Sequence, residues 1–302
     1  MQWISSQDTE RPVSPKEAIM KVLAFVDHSR YAASVCGHAA WAALRLGLPV
    51  EVLHVIEYHL HTTARFDRAG YLGVDTGEEL LRELSVLDEQ RNRIAQESGR
   101  LLLDDATKRL RAAGIDNARQ RLEYGELVDR LRHLEGDARL IVMGKRGEAE
   151  NQAEAHLGTN LERVIRASHR PVLIASPEFQ PVRRFLLAWD GGKSSGAAIN
   201  FLVDSMLLHE ATGHVLFAGK GTDDERTRMS DAVRHLRSAG LEITDEIRDG
   251  EAGQVILDAV EREQSDLLVM GAYGHSRVRR LMIGSTTTEV VGACTASMLV
   301  FH

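Results

Sequence analysis

LIVMGKRG at residues 140–147 and LLVMGAYG at 267–274 are one phrase written twice, an apolar run of strand length that closes on a pair of glycines. Working outward from it, LRAAGI at 110–115 returns as LRSAGL at 236–241, and YGELVDRL at 124–131 has a looser echo in DGEAGQVIL at 249–257. Further upstream, KVLAFVDHS at 21–29 has its counterpart in RFLLAWDGG at 184–192, each a strand-length run ending in an aspartate and a turn. Order and spacing are kept, so the chain is an internal duplication.

Within each half, strand-length apolar runs alternate with helical patterns, which is the signature of a parallel sheet covered on both faces. The expected strands are 21–26, 50–56, 120–123, 139–143 and 171–175, then 184–189, 213–218, 242–247, 266–270 and 297–301. The fold class is therefore α/β: two tandem doubly wound domains, each a five-stranded parallel sheet with helices on both faces. The domains are expected at 20–177 and 182–302, after an N-terminal tail at 1–19, with the polar stretch SPEFQP between them. Apolar final strands would leave exposed edges, so 171–175 and 297–301 are expected to pair with each other, making the chain an intrachain pseudo-dimer.

The halves differ by one block within 57–100 of the first. Thr76 and Glu79 form a capping-box pattern there, and Leu80, Leu87, Ile94 and Leu101 recur at seven-residue spacing. This predicts a long helix over about 76–98 that takes no part in a nucleotide site. Its stripe packs on its own domain in one reading and binds a partner in the other, and a further homodimer stays open.

Composition narrows the function classes. The chain has 302 residues, 43% hydrophobic and 27% charged, with a formal net charge of −7. That balance argues against general affinity for nucleic acid or anionic membrane, which need a dominant positive field. The two cysteines, Cys36 and Cys294, lack metal-type spacing and read as buried reduced thiols. No secretory signal pattern or long apolar segment is evident, which predicts a cytoplasmic protein. His54, His59 and His61, with His28 nearby, fit no closed zinc pattern and read as solvated or packed side chains, so no metal ligand is expected. No catalytic set emerges either, since a nucleophile elbow, H-E-x-x-H and a cysteine paired with a base are all missing.

The sharpest chemical signal is Gly271-Ala-Tyr-Gly274, nine residues, then Gly284-Ser285, directly after an expected strand and running into a helix. Glycines let the backbone approach an anion, and Ser285, Thr286 and Thr287 at a helix start offer N–H groups, hydroxyls and the positive dipole end. A turn needed only for backbone geometry is the plainer alternative. P-loop and Rossmann fingerprints are both missing.

A first strand ending in Asp, a late V-M-G-x-x-G, nine residues, G-S and a closing strand together resemble the universal stress protein family, and two copies resemble a tandem member. The resemblance implies a stress-response or signalling protein that binds ATP, or AMP or ADP, with Mg²⁺ as a companion to ATP and any hydrolysis slow. By position it implicates Asp190, Ala218, Gly271, Gly274, Gly284, Ser285 and Thr286 in the second half, and more weakly Asp27, Val55, Gly144, Gly147, Gly158 and Thr159 in the first. The first loop has ten residues between Gly147 and Gly158, including Glu148, Glu150 and Glu154, and residues 145–157 sum to −1. The second carries Arg277, Arg279 and Arg280, beside His275, and residues 272–283 sum to +3, which favours the second half as the ATP site. Asp27-His-Ser29 keeps the family's Asp-x-Ser, whereas Asp190-Gly-Gly192 does not, leaving Ser194 or Ser195 as substitutes. Two rivals stand beside this reading. One is an interaction or structural protein with vestigial loops; the other is an adenylating enzyme of the adenine-nucleotide α-hydrolase class, which lacks its S-G-G-x-D-S type loop here.

Overall fold

The computed structural model describes residues 20–57, 74–147, 159–272 and 285–302. In the first half, strands β1 (Lys21–Phe25), β2 (Val50–Ile56), β3 (Arg119–Tyr124), β4 (Ala138–Gly144) and β5 (Val172–Ala175) alternate with helices α1 (Ala32–Leu46), α2 (Val74–Ala112), α3 (Leu127–Leu134) and α4 (Thr159–Ala167). The second half repeats this with strands β6 (Arg184–Ala188), β7 (Thr212–Ala218), β8 (Glu242–Arg248), β9 (Leu267–Gly271) and β10 (Ser297–Phe301). Its helices are α5 (Lys193–Val203), α6 (Asp223–Ser238), α7 (Ala252–Arg262) and α8 (Ser285–Ala293).

All ten strands form one sheet, in the order β3-β2-β1-β4-β5-β10-β9-β6-β7-β8. Strand polarity dictates that order. The outermost strands, β3 (RQRLEY) and β8 (EITDEIR), carry the charges and are partly exposed, and the charges protect the edges from pairing with other chains. The closing strands β5 (VLIA) and β10 (SMLVF) are wholly buried and cannot be edges. They pair with each other antiparallel, as the sequence led us to expect, whereas every other pairing is parallel. Leu173 lies opposite Leu299, its own counterpart in the repeat, which is the register a local twofold requires.

Two apolar layers cover the sheet. One unites α1, the C-terminal part of α2, α5 and α6 with residues such as Val22, Leu173, Leu187 and Leu299. The other unites α3, α4, α7 and α8 with Leu23, Ile174, Leu268 and Val300. Both layers run across the junction, so the halves share their cores.

Helix α2 departs from expectation in length and orientation. It extends to Ala112 because the inserted block runs without interruption into the segment that precedes β3. Leu103, Ala106 and Leu110 anchor it to the core, while Leu87, Ile94 and Leu101 of the heptad stripe are 47%, 66% and 65% exposed. The described part of the stripe is therefore largely open to solvent. The side chains of Thr76, Glu79 and Leu80 lie outside the described part.

Candidate nucleotide site

In an open α/β sheet, ligands bind beyond the carboxyl ends of the strands where the strand order reverses. That switch point falls between β1 and β4 in the first half and between β6 and β9 in the second. The aspartates after β1 and β6 and the glycines closing β4 and β9 all converge there.

In the second half, Asp190 is fixed by a local turn. Its Oδ1 accepts from the Gly192 N–H at 2.8 Å and from the Ser195 hydroxyl at 2.7 Å. Ser195, rather than Ser194, is thus the serine whose hydroxyl reaches Asp190. Gly191 between them has φ +71°, a left-handed conformation that glycine adopts without strain. The same turn recurs in the first half, where Asp27 Oδ1 accepts from the Ser29 N–H at 3.0 Å. An aspartate binding the N–H two residues on is a standard turn-former, so both copies present their other carboxylate oxygen in a preset direction.

Ala218 ends β7 and is half-buried, and Gly271 ends β9. A Cβ on Gly271 would lie 2.7 Å from Ser194 Cβ, and one on Gly144 would lie 2.6 Å from Tyr31 Cβ. These glycines let the first turns of α5 and α1 close onto the strand ends, a role beside any approach to a ligand. Gly144→Ala and Gly271→Ala should each destabilise the chain by about 1–3 kcal/mol, because the opposing atoms are Cβ atoms that cannot rotate away. Urea denaturation midpoints check this; unchanged midpoints would mean that the helices shift freely.

Helix α8 starts at Ser285, with Thr286 half-buried and the hydroxyl of buried Thr287 donating to the Ala272 carbonyl at 3.0 Å. That bond ties the start of α8 to the residue after β9. Gly274, His275, Arg277, Arg279, Arg280 and Gly284 lie outside the described residues, as do Gly158, His59, His61 and the acidic residues 148–154 of the first loop. Thr159 opens α4, and Ser285 opens α8; the side chains of both are outside the description.

The first half holds a cavity of about 820 Å³ at its switch point, bordered by Asp27, Val55, Gly144 and Gly147. A Cβ on Gly147 would lie 3.3 Å from Asp27 Oδ2, so the loop runs close over the carboxylate. Arg91, Ile94, Ala95 and Ser98 of α2, in the block expected to take no part in a nucleotide site, form one wall of this cavity. His28 and His54 line the same cavity. His54 Nδ1 donates to the Val26 carbonyl at 2.9 Å, and His28 Nε2 bonds to the Ser98 hydroxyl at 3.0 Å. His54 is thus a half-buried residue of the wall and His28 an exposed one, and the sequence signal for them was only their position at strand ends.

Sequence reasoning also missed the partner of Lys145. Its ammonium donates to the Cys294 carbonyl at 2.7 Å, just past the C-terminus of α8, and burial holds its pKa below the ordinary lysine value. The first loop's lysine is committed to the second half, where it complements the negative end of that helix. Cys294 and Cys36 are free and buried, and desolvation pushes the Cys36 thiol up to about 11, so it stays unreactive.

Residues 18–176 and 181–302 each match the model of the universal stress protein family. The chain belongs to that family. A universal stress protein of Synechocystis sp. is 35% identical over 284 residues, covering 93% of this chain and 99% of that protein. A universal stress protein of Methanocaldococcus jannaschii is 26% identical over 81 residues, covering 27% of this chain and 50% of its own. Among solved structures, a universal stress protein from Archaeoglobus fulgidus superposes with a TM-score of 0.68 at 19% identity, covering 93% of this chain and 97% of that one. Both halves of the chain are thus universal stress protein copies. No described helix is long and apolar enough to cross a membrane.

Proposed function

We propose that this tandem universal stress protein binds an adenine nucleotide in its second half, with ATP favoured over AMP and ADP. The observation that carries this reading is the Asp190 carboxylate, held by Gly192 and Ser195 at the switch point between β6 and β9. In this reading Asp190 and the Ala218 backbone accept and donate hydrogen bonds around the adenosine. Gly271, Gly274, Gly284, Ser285 and Thr286 cradle the phosphates at the start of α8, with Mg²⁺ accompanying ATP. Arg277, Arg279 and Arg280 supply a positive rim.

Charge supports the choice of half. Lys145 is spent on Cys294, which leaves the first loop's sequence with Arg146 against three glutamates. A polyphosphate is disfavoured there. The cavity beside Asp27 nonetheless favours a second reading for the first half, in which Asp27, Val55, Gly144, Gly147, Gly158 and Thr159 hold a less charged adenosine-type ligand.

Binding, with a change of shape or partner on occupancy, is the proposed activity, and hydrolysis is at most a slow side reaction. Two free buried thiols accord with a reducing cytoplasmic setting. The test is a mass spectrum of small molecules released by denaturing the purified full chain, with occupancy per chain. An adenine nucleotide dominated by ATP is expected. A protein that releases none, and takes up none when ATP is added, would make the interaction-protein reading the better one; pyrophosphate release on turnover would instead favour the adenylating enzyme.

A further inference from the structure

The last two strands of the sheet carry a cluster that the nucleotide site does not use. His214 on β7 and Glu246 on β8 point to the face covered by α7, because alternation along the strands puts them beside buried Leu216 and its partners. Glu263, the C-cap residue of α7, completes the group: one ligand atom from each of the three side chains lies within 4.8 Å of the others.

The role of His214 Nδ1 follows from its neighbours. The Thr244 hydroxyl donates to the Gly213 carbonyl at 3.4 Å, so its oxygen accepts from His214 Nδ1–H at 2.8 Å. Nε2 is left with its lone pair. That atom is buried, has no hydrogen-bond partner among the described residues, and sits 3.4 Å from Glu246 Oε2. The imidazole nitrogen and the carboxylate oxygen thus stand at ion-pair distance without a hydrogen bond between them. A metal ion resolves this: ligands about 2.0–2.1 Å from a tetrahedral zinc stand about 3.3–3.4 Å apart.

We propose that His214 Nε2, Glu246 Oε2 and Glu263 form a three-ligand zinc site, with water in the fourth position. Outer contacts prepare it. Thr244 fixes the imidazole tautomer, and Arg248 holds Glu246 Oε1 at 2.9 Å, turning Oε2 inward. The Arg262 guanidinium stands in the cation's place, bridging Glu246 Oε2 and, at 2.8 Å, Glu263 Oε1. Arg262 is partly exposed at the end of α7 and can swing into solvent when zinc enters. The negative end of the α7 dipole favours either cation.

The experiment is calorimetric titration of the full chain with zinc chloride, with cobalt(II) absorption reporting tetrahedral geometry. One high-affinity ion per chain is expected, weakened about tenfold or more in both His214→Ala and Glu263→Gln. Arg262→Ala should bind more tightly, since it removes the competing cation, a change that damage to the fold would not produce. Circular dichroism confirms that the variants are folded. Absence of tight uptake, equal uptake by the His214 and Glu263 variants, or weaker uptake by Arg262→Ala would each overturn the assignment.

Discussion

Leu299→Asp is expected to unfold both halves of the chain together. Leu299 and Leu173 are fully buried and lie opposite each other on β10 and β5, where the two repeats become one sheet. The substitution removes an apolar side chain worth about 1.5–3 kcal/mol of burial and places an unpaired carboxylate within the apolar layer that also holds Leu173 and Leu187. The combined loss should exceed about 4 kcal/mol, a large part of the stability of an ordinary domain. Ile94→Asp on the exposed face of α2 should change stability by no more than about 0.5 kcal/mol. Hydrogen exchange gives the decisive readout: protection of β1 and β6 should fall in parallel. Loss confined to the second half would show that the halves fold independently.

Acidification should destabilise the protein well before its carboxylates titrate. His38 on α1 is 1% exposed, and desolvation lowers its pKa to about 4. Its Nδ1 donates to the Ser34 carbonyl at 2.8 Å, so Nε2 accepts from the Ser297 hydroxyl of β10 at 2.7 Å, and Phe179 of the connecting segment packs edge-on against the ring. The neutral form is therefore built into the junction of the halves. The unfolded chain takes up this proton near pH 6.5 and the folded chain only near 4, so the unfolded state gains as pH falls through that window. At about 1.4 kcal/mol per unit the loss approaches 3 kcal/mol by pH 4. Burial lowers the pKa of His302 to about 4 as well, which adds a loss of the same sign. Urea midpoints should drop from pH 7 to pH 5, and the drop should shrink in His38→Asn. A flat profile, or an equal drop in the variant, would refute this. Glu51 and Glu135, whose pKa values are lowered, act in the same direction only at more acid pH, where their stabilising charge is lost.

The central junction was legible because strand composition carries it: apolar β5 and β10 cannot be edges. The order of the other strands came from the structure, which puts the charged β3 and β8 outermost. The length of α2 was less legible. Gly99 lies inside the helix, where the inserted block joins the segment before β3. Its missing Cβ makes room for Leu122, 2.8 Å away, and His54, 3.0 Å away. Periodicity revealed the heptad of Leu87, Ile94 and Leu101 without showing which way it faces, since that depends on how the next turns dock. The turns after Asp27 and Asp190 are local and could be anticipated; the choice of Ser195 needed the geometry of α5. Lys145 on Cys294 and His38 on Ser297 join residues far apart in the chain, and no local pattern encodes such pairs.

Calorimetric titration of ATP into the unaltered chain, Gly147→Val and Gly274→Val tests the central claim most directly. A β-branched residue at Gly274 should block backbone approach to the phosphates, weakening ATP binding at least about tenfold, or 1.4 kcal/mol. Gly147→Val should leave that binding unchanged, because the second half alone combines the fixed Asp190 carboxylate, the start of α8 and three arginines. Circular dichroism establishes that both variants are folded. Equal loss in the two variants, or undiminished ATP binding by Gly274→Val, would contradict the assignment.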